Sequence, residues 1–183
     1  MSDDSGPVPD GSGDEFKAYC RDIPDFPTQG IIFRDITNLL KNGEIFRKAI
    51  DRIAERFSGE RIDVVCSVEA RGFIIGSAIA YALGAGFVPI RKTGKLPWYT
   101  HQASYNLEYG VDEVEVHIDA VSAGNRVLLV DDVIATGGTM KAAVALVEKM
   151  KGKVVCAAFL IELLALEGRK QLEGVPVYSL IKY

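Results

Sequence analysis

The chain has 183 residues, of which 48% are hydrophobic and 25% charged, and its formal net charge is -4. This length suits one domain with a substantial core and leaves little room for a second. The charge balance excludes broad electrostatic binding, so we predict neither nucleic acid nor a membrane as a partner and expect any basic site to be local.

The N-terminal residues 1–14 are rich in Ser, Asp, Gly and Pro and carry too little apolar surface to offset the entropy of ordering. We predict a disordered tail over 1–14 and a single domain over 15–183. No basic start followed by an apolar stretch is visible, so we expect a cytoplasmic protein. Cys20, Cys66 and Cys156 form no CxxC pattern and are predicted to be buried free thiols.

Hydrophobic periodicity predicts helices and strands that alternate along the chain. Helices are predicted at 15–22, 44–57, 72–83 and 138–151. An irregular, proline-containing segment separates the first two helices. Strands are predicted at 62–68, 87–90, 126–131, 154–161 and 175–181. Because the strands are apolar throughout, we predict an α/β fold with a mostly parallel central sheet and helices on both faces.

The segment from Phe73 to Ile90 contains no charged residue and is about long enough to span a bilayer. Its glycines and its proline divide it more naturally into a buried helix, a turn and a buried strand. We therefore predict no membrane span.

One long irregular stretch, Lys92 to about Tyr105, stands out among short loops and is a candidate lid. Arg91, Lys92 and Lys95 lie in or beside it, and cations in a lid balance the charge of an anionic leaving group while water is excluded. An ordinary solvated loop is the alternative interpretation.

The sequence VLLVDDVIATGGTM, residues 127–140, places Asp131 and Asp132 at the end of a strand and a glycine-containing turn before a helix. The two glycines let the backbone bend and expose N–H groups, which favour a phosphate at the positive end of the helix dipole. Carboxylates repel phosphate, so they must face sugar hydroxyls or a metal ion. We infer a ribose with one terminal phosphate as the ligand. A plain strand-turn-helix corner is the alternative.

A second loop of this kind, SVEARGF at 67–73, follows the strand predicted at 62–68. The guanidinium of Arg71 can donate a fork of hydrogen bonds to phosphate oxygens. Glu69 and Arg71 as an ordinary surface ion pair is the alternative. Such sheets bind ligands beyond the carboxyl ends of their strands, where both loops are expected.

Residues 127–140 resemble the phosphoribosyl-pyrophosphate motif of the type I phosphoribosyltransferases. The segments IPDFPTQGIIFRDIT, EARGFIIG, IRKTGKLP and SYNLEYG resemble the adenine phosphoribosyltransferase family in their order and spacing. The resemblance covers about 23–183 and implies the type I fold, with a small hood and a mobile lid loop. It also implies transfer of the 5-phosphoribosyl group from phosphoribosyl pyrophosphate to adenine, giving AMP and pyrophosphate, with Mg2+ as cofactor and a homodimer as the assembly.

The resemblance also assigns binding residues. The ribose and its 5'-phosphate are expected on Asp131, Asp132, Ala135, Thr136, Gly137, Gly138 and Thr139. The pyrophosphate is expected on Glu69, Ala70, Arg71, Gly72, Arg91, Lys92 and Lys95. Adenine is expected against Ile32 and Phe33, with its amino edge read by backbone groups around Arg34.

Two catalytic residues are implied in the same way. Glu108 is a candidate general acid or base for the proton on the attacking purine nitrogen, although charge stabilisation of the transition state would serve equally well. Arg71 is the second, as a donor to the leaving pyrophosphate. Mg2+ is expected to arrive with the substrate, and Asp131 is the one protein group considered as a metal ligand.

Two other functions stay open on the sequence. The same chemistry on another base, hypoxanthine or xanthine, is disfavoured by the segments NLEYG and FPTQGIIFRD. A non-catalytic regulator that binds phosphoribosyl pyrophosphate would need a DNA-binding module, and the only spare sequence is a short acidic tail.

Overall fold

A computed structural model describes residues 13–106 and 111–183. The strands of this part of the chain are β1 Arg21–Pro24, β2 Ile32–Asp35, β3 Val64–Val68, β4 Gly86–Lys92, β5 Thr100–Asn106, β6 Val111–His117, β7 Arg126–Ile134, β8 Lys153–Glu162 and β9 Val177–Lys182. The α-helices are α1 Asp14–Lys17, α2 Thr37–Lys41, α3 Gly43–Arg56, α4 Arg71–Leu83 and α5 Gly138–Lys149. Two 3-10 turns, Leu164–Leu166 and Gly168–Gln171, connect β8 to β9.

The large sheet has the strand order β5-β6-β4-β3-β7-β8-β9. The five strands β4, β3, β7, β8 and β9 are parallel to one another. Strands β5 and β6 form an antiparallel hairpin, the edge hairpin, which continues the sheet beyond β4. The predicted α/β fold with a mostly parallel sheet is therefore confirmed.

Alternate residues of β7 serve two separate cores, which explains why this strand is apolar at consecutive positions. Leu128 and Val130 pack with α3 and α4 on one face of the sheet. Val127 and Leu129 pack with α5 on the other face. Helices thus cover both faces, as predicted.

The helix predicted at 15–22 ends at Lys17, and β1 begins at Arg21 and continues into the segment predicted to be irregular, which also contains β2. Strands β1 and β2 pair antiparallel as a separate small sheet, the hood, in which Ile23 lies opposite Phe33. Each strand has four residues. So short a strand, ending at Pro24, carries little periodic signal of its own, and the pairing supplies the structure.

The prediction of an irregular stretch from Lys92 to Tyr105 was wrong for its second half. Residues 100–106 form β5, which pairs along its length with β6. Ala103 and Tyr105 pack toward the α5 core while Gln102 and Ser104 are exposed. This alternation has the period of a strand, but its few apolar residues made the pattern weak.

The uncharged run that begins at Phe73 is divided between α4 and β4. None of the helices in the described ranges has the length and hydropathy needed to cross a membrane. The three cysteines are free; Cys66 and Cys156 are buried and Cys20 is partly buried.

Candidate active site

The carboxyl ends of two neighbouring strands bring the candidate residues together. Because β3 and β7 are adjacent and parallel, residues 69–72, which comprise the turn after β3 and the first residues of α4, lie beside the acids of β7. We call these residues the arginine loop. A cavity of about 320 Å³, the central cavity, is lined by Arg71, Asp131, Asp132 and Thr139 together with Lys92 of β4.

The two acids differ in their surroundings. Asp132 is buried, with 5% of its surface exposed, and its Oδ2 lies 2.8 Å from Nε of Arg71. Asp131 is partly buried, and its Oδ1 accepts a hydrogen bond of 2.8 Å from the backbone N–H of Asp132. The predicted strand 126–131 would have placed the two acids at its end. Strand β7 instead continues to Ile134, so both acids lie within the strand.

Burial raises the pKa of both carboxyl groups. For Asp131 the negative charge of Asp132 adds to the effect of burial and holds the pKa well above its ordinary value. For Asp132 burial also dominates, but the positive charge of Arg71 opposes it. Two acids in this state gain from a ligand that donates hydrogen bonds or brings positive charge.

These shifts predict an acid limb in the pH dependence of substrate capture. Binding of a sugar diol requires ionised acceptors, and a raised pKa means that protonation begins at a higher pH than the ordinary carboxyl range of about 4. For the phosphoribosyl substrate that the sequence predicts, we expect kcat/KM to fall with decreasing pH, and the fall to begin above the ordinary carboxyl range. The limb in kcat, measured at saturating substrate, should lie at lower pH because the bound diol favours the ionised form. A flat profile down to about pH 4.5 would contradict this.

Within the arginine loop, the carboxylate of Glu69 accepts hydrogen bonds from Arg91 and from the backbone of Lys92. The Glu69–Ala70 peptide bond is cis. Oε2 of Glu69 accepts hydrogen bonds of 3.1 and 3.0 Å from Nε and Nη2 of Arg91, and Oε1 accepts one of 2.6 Å from the backbone N–H of Lys92. Arg91 also donates to the carbonyl oxygen of Lys95 at 3.1 Å. The guanidinium of Arg91 therefore connects the arginine loop to the segment that follows β4.

The other two cations of the predicted pyrophosphate set lie differently. Lys92 lines the central cavity, and its Nζ lies 2.9 Å from Oδ2 of Asp112. The backbone N–H of Lys95 donates to Oε1 of Glu115. Arg71 and Lys92 thus line the central cavity. Arg91 and Lys95 instead make hydrogen bonds that connect Glu69, Glu115 and the segment after β4.

Glu115 is a buried acid that sequence reasoning missed. Its Oε1 accepts backbone hydrogen bonds of 2.9 Å from both Lys95 and Leu96, and its Oε2 accepts one of 3.1 Å from the Thr100 hydroxyl. Burial raises the pKa of Glu115, but these donors together lower it below its usual value, so the ionised carboxylate clamps the loop at 93–99. Only its position opposite Arg91 in the pairing of β6 with β4 could have indicated this.

Replacing this carboxylate should therefore cost stability. Glu115→Gln places an amide N–H2 among N–H donors, and we expect the free energy of unfolding in urea to fall by about 2 kcal/mol. Glu113→Gln is the matched control, since Glu113 lies two residues away on the same face of β6, is exposed, and accepts from the Ser104 hydroxyl. Its effect should stay below about 0.5 kcal/mol. Equal effects of the two changes would show that Glu115 is no clamp.

Residues 135–139, the glycine bend, form the other wall of the site. Gly137 has φ of 86° and caps α5, whose first hydrogen bond runs from the N–H of Lys141 to the carbonyl oxygen of Gly137. The preceding N–H groups at such a helix start have no partner within the helix. A cavity of about 180 Å³ lies at this bend and shares Asp131 and Thr139 with the central cavity. The geometry suits one phosphate beside a sugar held by the acids.

The hood reaches the site through Phe33. The guanidinium of Arg71 lies 4.7 Å from the centre of the Phe33 ring, and Phe26 contacts that ring edge-on at 5.2 Å. Ile32 is 49% exposed. The side chain of Arg34 pairs with Asp22 and stacks over the Tyr183 ring at 4.0 Å. Ile32 and Phe33 thus offer apolar surface of the kind predicted for a flat base, whereas the Arg34 side chain is engaged with Asp22 and Tyr183.

Glu108 lies outside the described residues. On the strands that flank it, Tyr105 and Asp112 form a link that sequence reasoning also missed. The Tyr105 hydroxyl lies 3.1 Å from Oδ2 of Asp112, which also pairs with Lys92. Tyr105 lines the central cavity with Thr139, so the edge hairpin closes one side of the site.

The sequence was compared with known families and curated relatives. The profile of the family described as Phosphoribosyl transferase domain matches residues 35–177. The adenine phosphoribosyltransferase of Thermotoga maritima is 55% identical over 169 residues, which cover 92% of this chain and 98% of that enzyme. The adenine phosphoribosyltransferase of Agrobacterium fabrum is 54% identical over 171 residues, which cover 92% of this chain and 95% of that enzyme.

Solved structures agree with this result. Adenine phosphoribosyltransferase from Thermoanaerobacter pseudethanolicus matches with a TM-score of 0.91 and 49% identity, covering 94% of this chain and 100% of the other. The enzyme from Saccharomyces cerevisiae, solved with an imino-altritol bisphosphate and adenine, matches with a TM-score of 0.88 and 41% identity, covering 92% and 98%.

The fold and the site therefore define a phosphoribosyltransferase of the type I fold. The arginine loop and the glycine bend follow the carboxyl ends of the adjacent strands β3 and β7, and the acid pair lies within β7 near that end. Within that class, the chain belongs to the adenine phosphoribosyltransferase family, which confirms the resemblance.

Proposed function

We propose that the protein transfers the 5-phosphoribosyl group of phosphoribosyl pyrophosphate to adenine, giving AMP and pyrophosphate. The observation that carries this is the meeting of Arg71 and the acid pair in one cavity, with the glycine bend beside it. Each of the three suits a different part of one ligand. The high identity to adenine phosphoribosyltransferases supports the choice of base.

Each part of the substrate has a place in this arrangement. The 5'-phosphate binds the N–H groups and hydroxyls of residues 135–139, at the N-terminus of α5. The ribose diol donates hydrogen bonds to Asp131 and Asp132. Arg71, with Lys92 on the far wall of the cavity, receives the pyrophosphate. Ile32 and Phe33 of the hood cover the base.

The chemistry is a displacement at the anomeric carbon. A ring nitrogen of adenine forms a bond to that carbon while the bond to the pyrophosphate oxygen breaks, and the nitrogen loses its proton. Positive charge that develops on the sugar is stabilised by the carboxylates of Asp131 and Asp132, and Arg71 stabilises the negative charge of the leaving group. Glu108 is proposed to take the proton or to stabilise charge near the purine.

The donor set of the site fits Mg2+. Carboxylate oxygens of Asp131 and Asp132 line the cavity; Asp132 is paired with Arg71, whereas burial and the charge of Asp132 hold the pKa of Asp131 high, so that Asp131 gains from a nearby cation. Hard oxygen donors of this kind are the ligands that Mg2+ prefers. We propose that the ion enters with the substrate, with Asp131 as the protein group that would hold it. When bound, it neutralises charge on the pyrophosphate.

We also propose that residues 15–183 act as one phosphoribosyltransferase domain, that the protein is cytoplasmic, and that its active form is a homodimer. Support for the dimer comes from α4, where Ile74 and Tyr81 are 43% and 90% exposed. Exposed apolar surface of this kind is typical of interaction sites, and the mass in solution tests the assembly.

The substrate is tested by an assay of the purified protein with phosphoribosyl pyrophosphate and each of adenine, hypoxanthine, xanthine and orotate. Robust turnover of adenine alone is expected. Turnover of hypoxanthine without adenine would refute the choice of base. Retained binding of phosphoribosyl pyrophosphate with no product from any base would instead favour a regulator.

A further inference from the structure

The glycine bend is closed from behind by the 3-10 turn at Gly168–Gln171. A Cβ atom on Gly168 would lie 2.2 Å from the carbonyl oxygen of Ala135 and 2.9 Å from the backbone nitrogen of Gly137. Reciprocally, a Cβ on Gly137 would lie 2.3 Å from the carbonyl oxygen of Gly168. All three distances are shorter than a van der Waals contact. The two backbone segments therefore touch directly, and neither glycine position has room for a side chain.

The turn that carries Gly168 is itself fixed to the sheet. Arg169 donates hydrogen bonds of 2.9 and 2.6 Å from Nε and Nη2 to the two carboxylate oxygens of Glu162, which is 4% exposed at the end of β8. Nη1 of Arg169 donates to the carbonyl oxygen of Val177 at 3.1 Å. A bidentate pair on a buried carboxylate fixes orientation as well as distance.

A further contact fixes the residue before the glycine bend. The N–H of Leu163 donates to the carbonyl oxygen of Ile134 at 3.0 Å. On the helical side, Nζ of Lys141 lies 3.3 Å from Oε1 of Gln171. The bend is thus held from the strand end, from behind and from the helix by one continuous segment, residues 162–171.

We propose that Gly168 is a positioning residue for recognition of the 5'-phosphate, and that the Arg169–Glu162 pair holds it there. This rests on the proposed binding of that phosphate to the glycine bend. Gly168 touches no substrate in this arrangement; it sets the curvature of residues 135–137 so that their N–H groups converge on one oxygen cluster. A shift of a few tenths of an ångström at Ala135 or Gly137 spoils that convergence.

The test compares Gly168→Ala with Gly59→Ala, which has nothing within 4 Å of the added methyl group. For Gly168→Ala we expect KM for phosphoribosyl pyrophosphate and Kd for AMP to rise about 30-fold, with KM and Kd for adenine unchanged and kcat within about threefold. Gly59→Ala should leave all of these unchanged. A general loss of kcat and of adenine binding would show that Gly168 only supports the fold, and would overturn the proposal.

Thr139→Val separates this inference from the proposed function. If Thr139→Val raises KM for phosphoribosyl pyrophosphate and Gly168→Ala does not, the positioning role is wrong while the phosphate site stands. If neither variant changes it, the phosphate does not bind the glycine bend and both proposals fail. Should Gly168→Ala not fold, Arg169→Lys serves in its place, because it keeps the charge and loses the fork to Glu162. We then expect about a fivefold rise in the same KM alone, and an unchanged KM overturns the proposal.

Discussion

Arg71→Met is expected to lower kcat/KM for phosphoribosyl pyrophosphate about 1,000-fold, or ~4 kcal/mol. The substitution removes the proposed donor to the leaving pyrophosphate. It also leaves the buried carboxylate of Asp132 without the guanidinium that lies 2.8 Å from it, so the pKa of Asp132 rises further. Arg71→Lys keeps the charge but loses the planar fork, and should recover only part of the loss. Steady-state kinetics at fixed adenine measure both.

Arg61→Met is the matched control. Arg61 precedes β3 at its amino end as Arg71 follows it at its carboxyl end, and its side chain is 82% exposed in its pair with Asp63. Exposed pairs of this kind contribute little, so kcat/KM should change less than about twofold. A loss below tenfold for Arg71→Met would remove Arg71 from the catalytic residues.

The second large effect is expected for Asp132→Asn, with a loss of kcat/KM of about 100-fold, or ~2.7 kcal/mol. Asparagine keeps the shape but removes the negative charge that is proposed to accept hydrogen bonds from the ribose diol and to stabilise positive charge on the sugar. It also removes the charge that raises the pKa of Asp131, so the acid limb of the remaining activity should move to lower pH. Asp119→Asn, at an exposed position after β6, is the control and should be silent.

A double variant tests whether the two residues act together. Because Arg71 and Asp132 are in direct contact, their effects should not be additive. We expect Arg71→Met with Asp132→Asn to lose clearly less than the product of the two single losses. A full product would mean that the pair acts on the substrate independently.

The sequence predicts an element well where the hydrophobic period of that element is complete within one segment. Helix α3, at Gly43–Arg56, lies within one residue of its predicted bounds because it has the full amphipathic period. The hood could not be found in this way, since the pairing of Ile23 with Phe33 holds two strands that are too short to show a period.

The same distinction holds for the site. Asp131, Asp132 and Arg71 could be proposed as neighbours because parallel strands end at one edge of a sheet. The pattern of basic residues could not show that Glu69 holds the guanidinium of Arg91 while Lys92 lines the cavity. Gly168 gave no signal at all, because its importance comes from a contact with a bend far from it in sequence.

The core beneath α5 has a consequence for the engineering of this enzyme. Val114 and Val116 of the edge hairpin share that apolar layer with Met140, which directly follows the glycine bend, and with Leu146 further along α5. A hairpin transplanted from a relative with a different base preference would bring its own side chains into the layer. We expect such a chimaera to bind the ribosyl phosphate more weakly unless α5 is redesigned together with the transplanted hairpin.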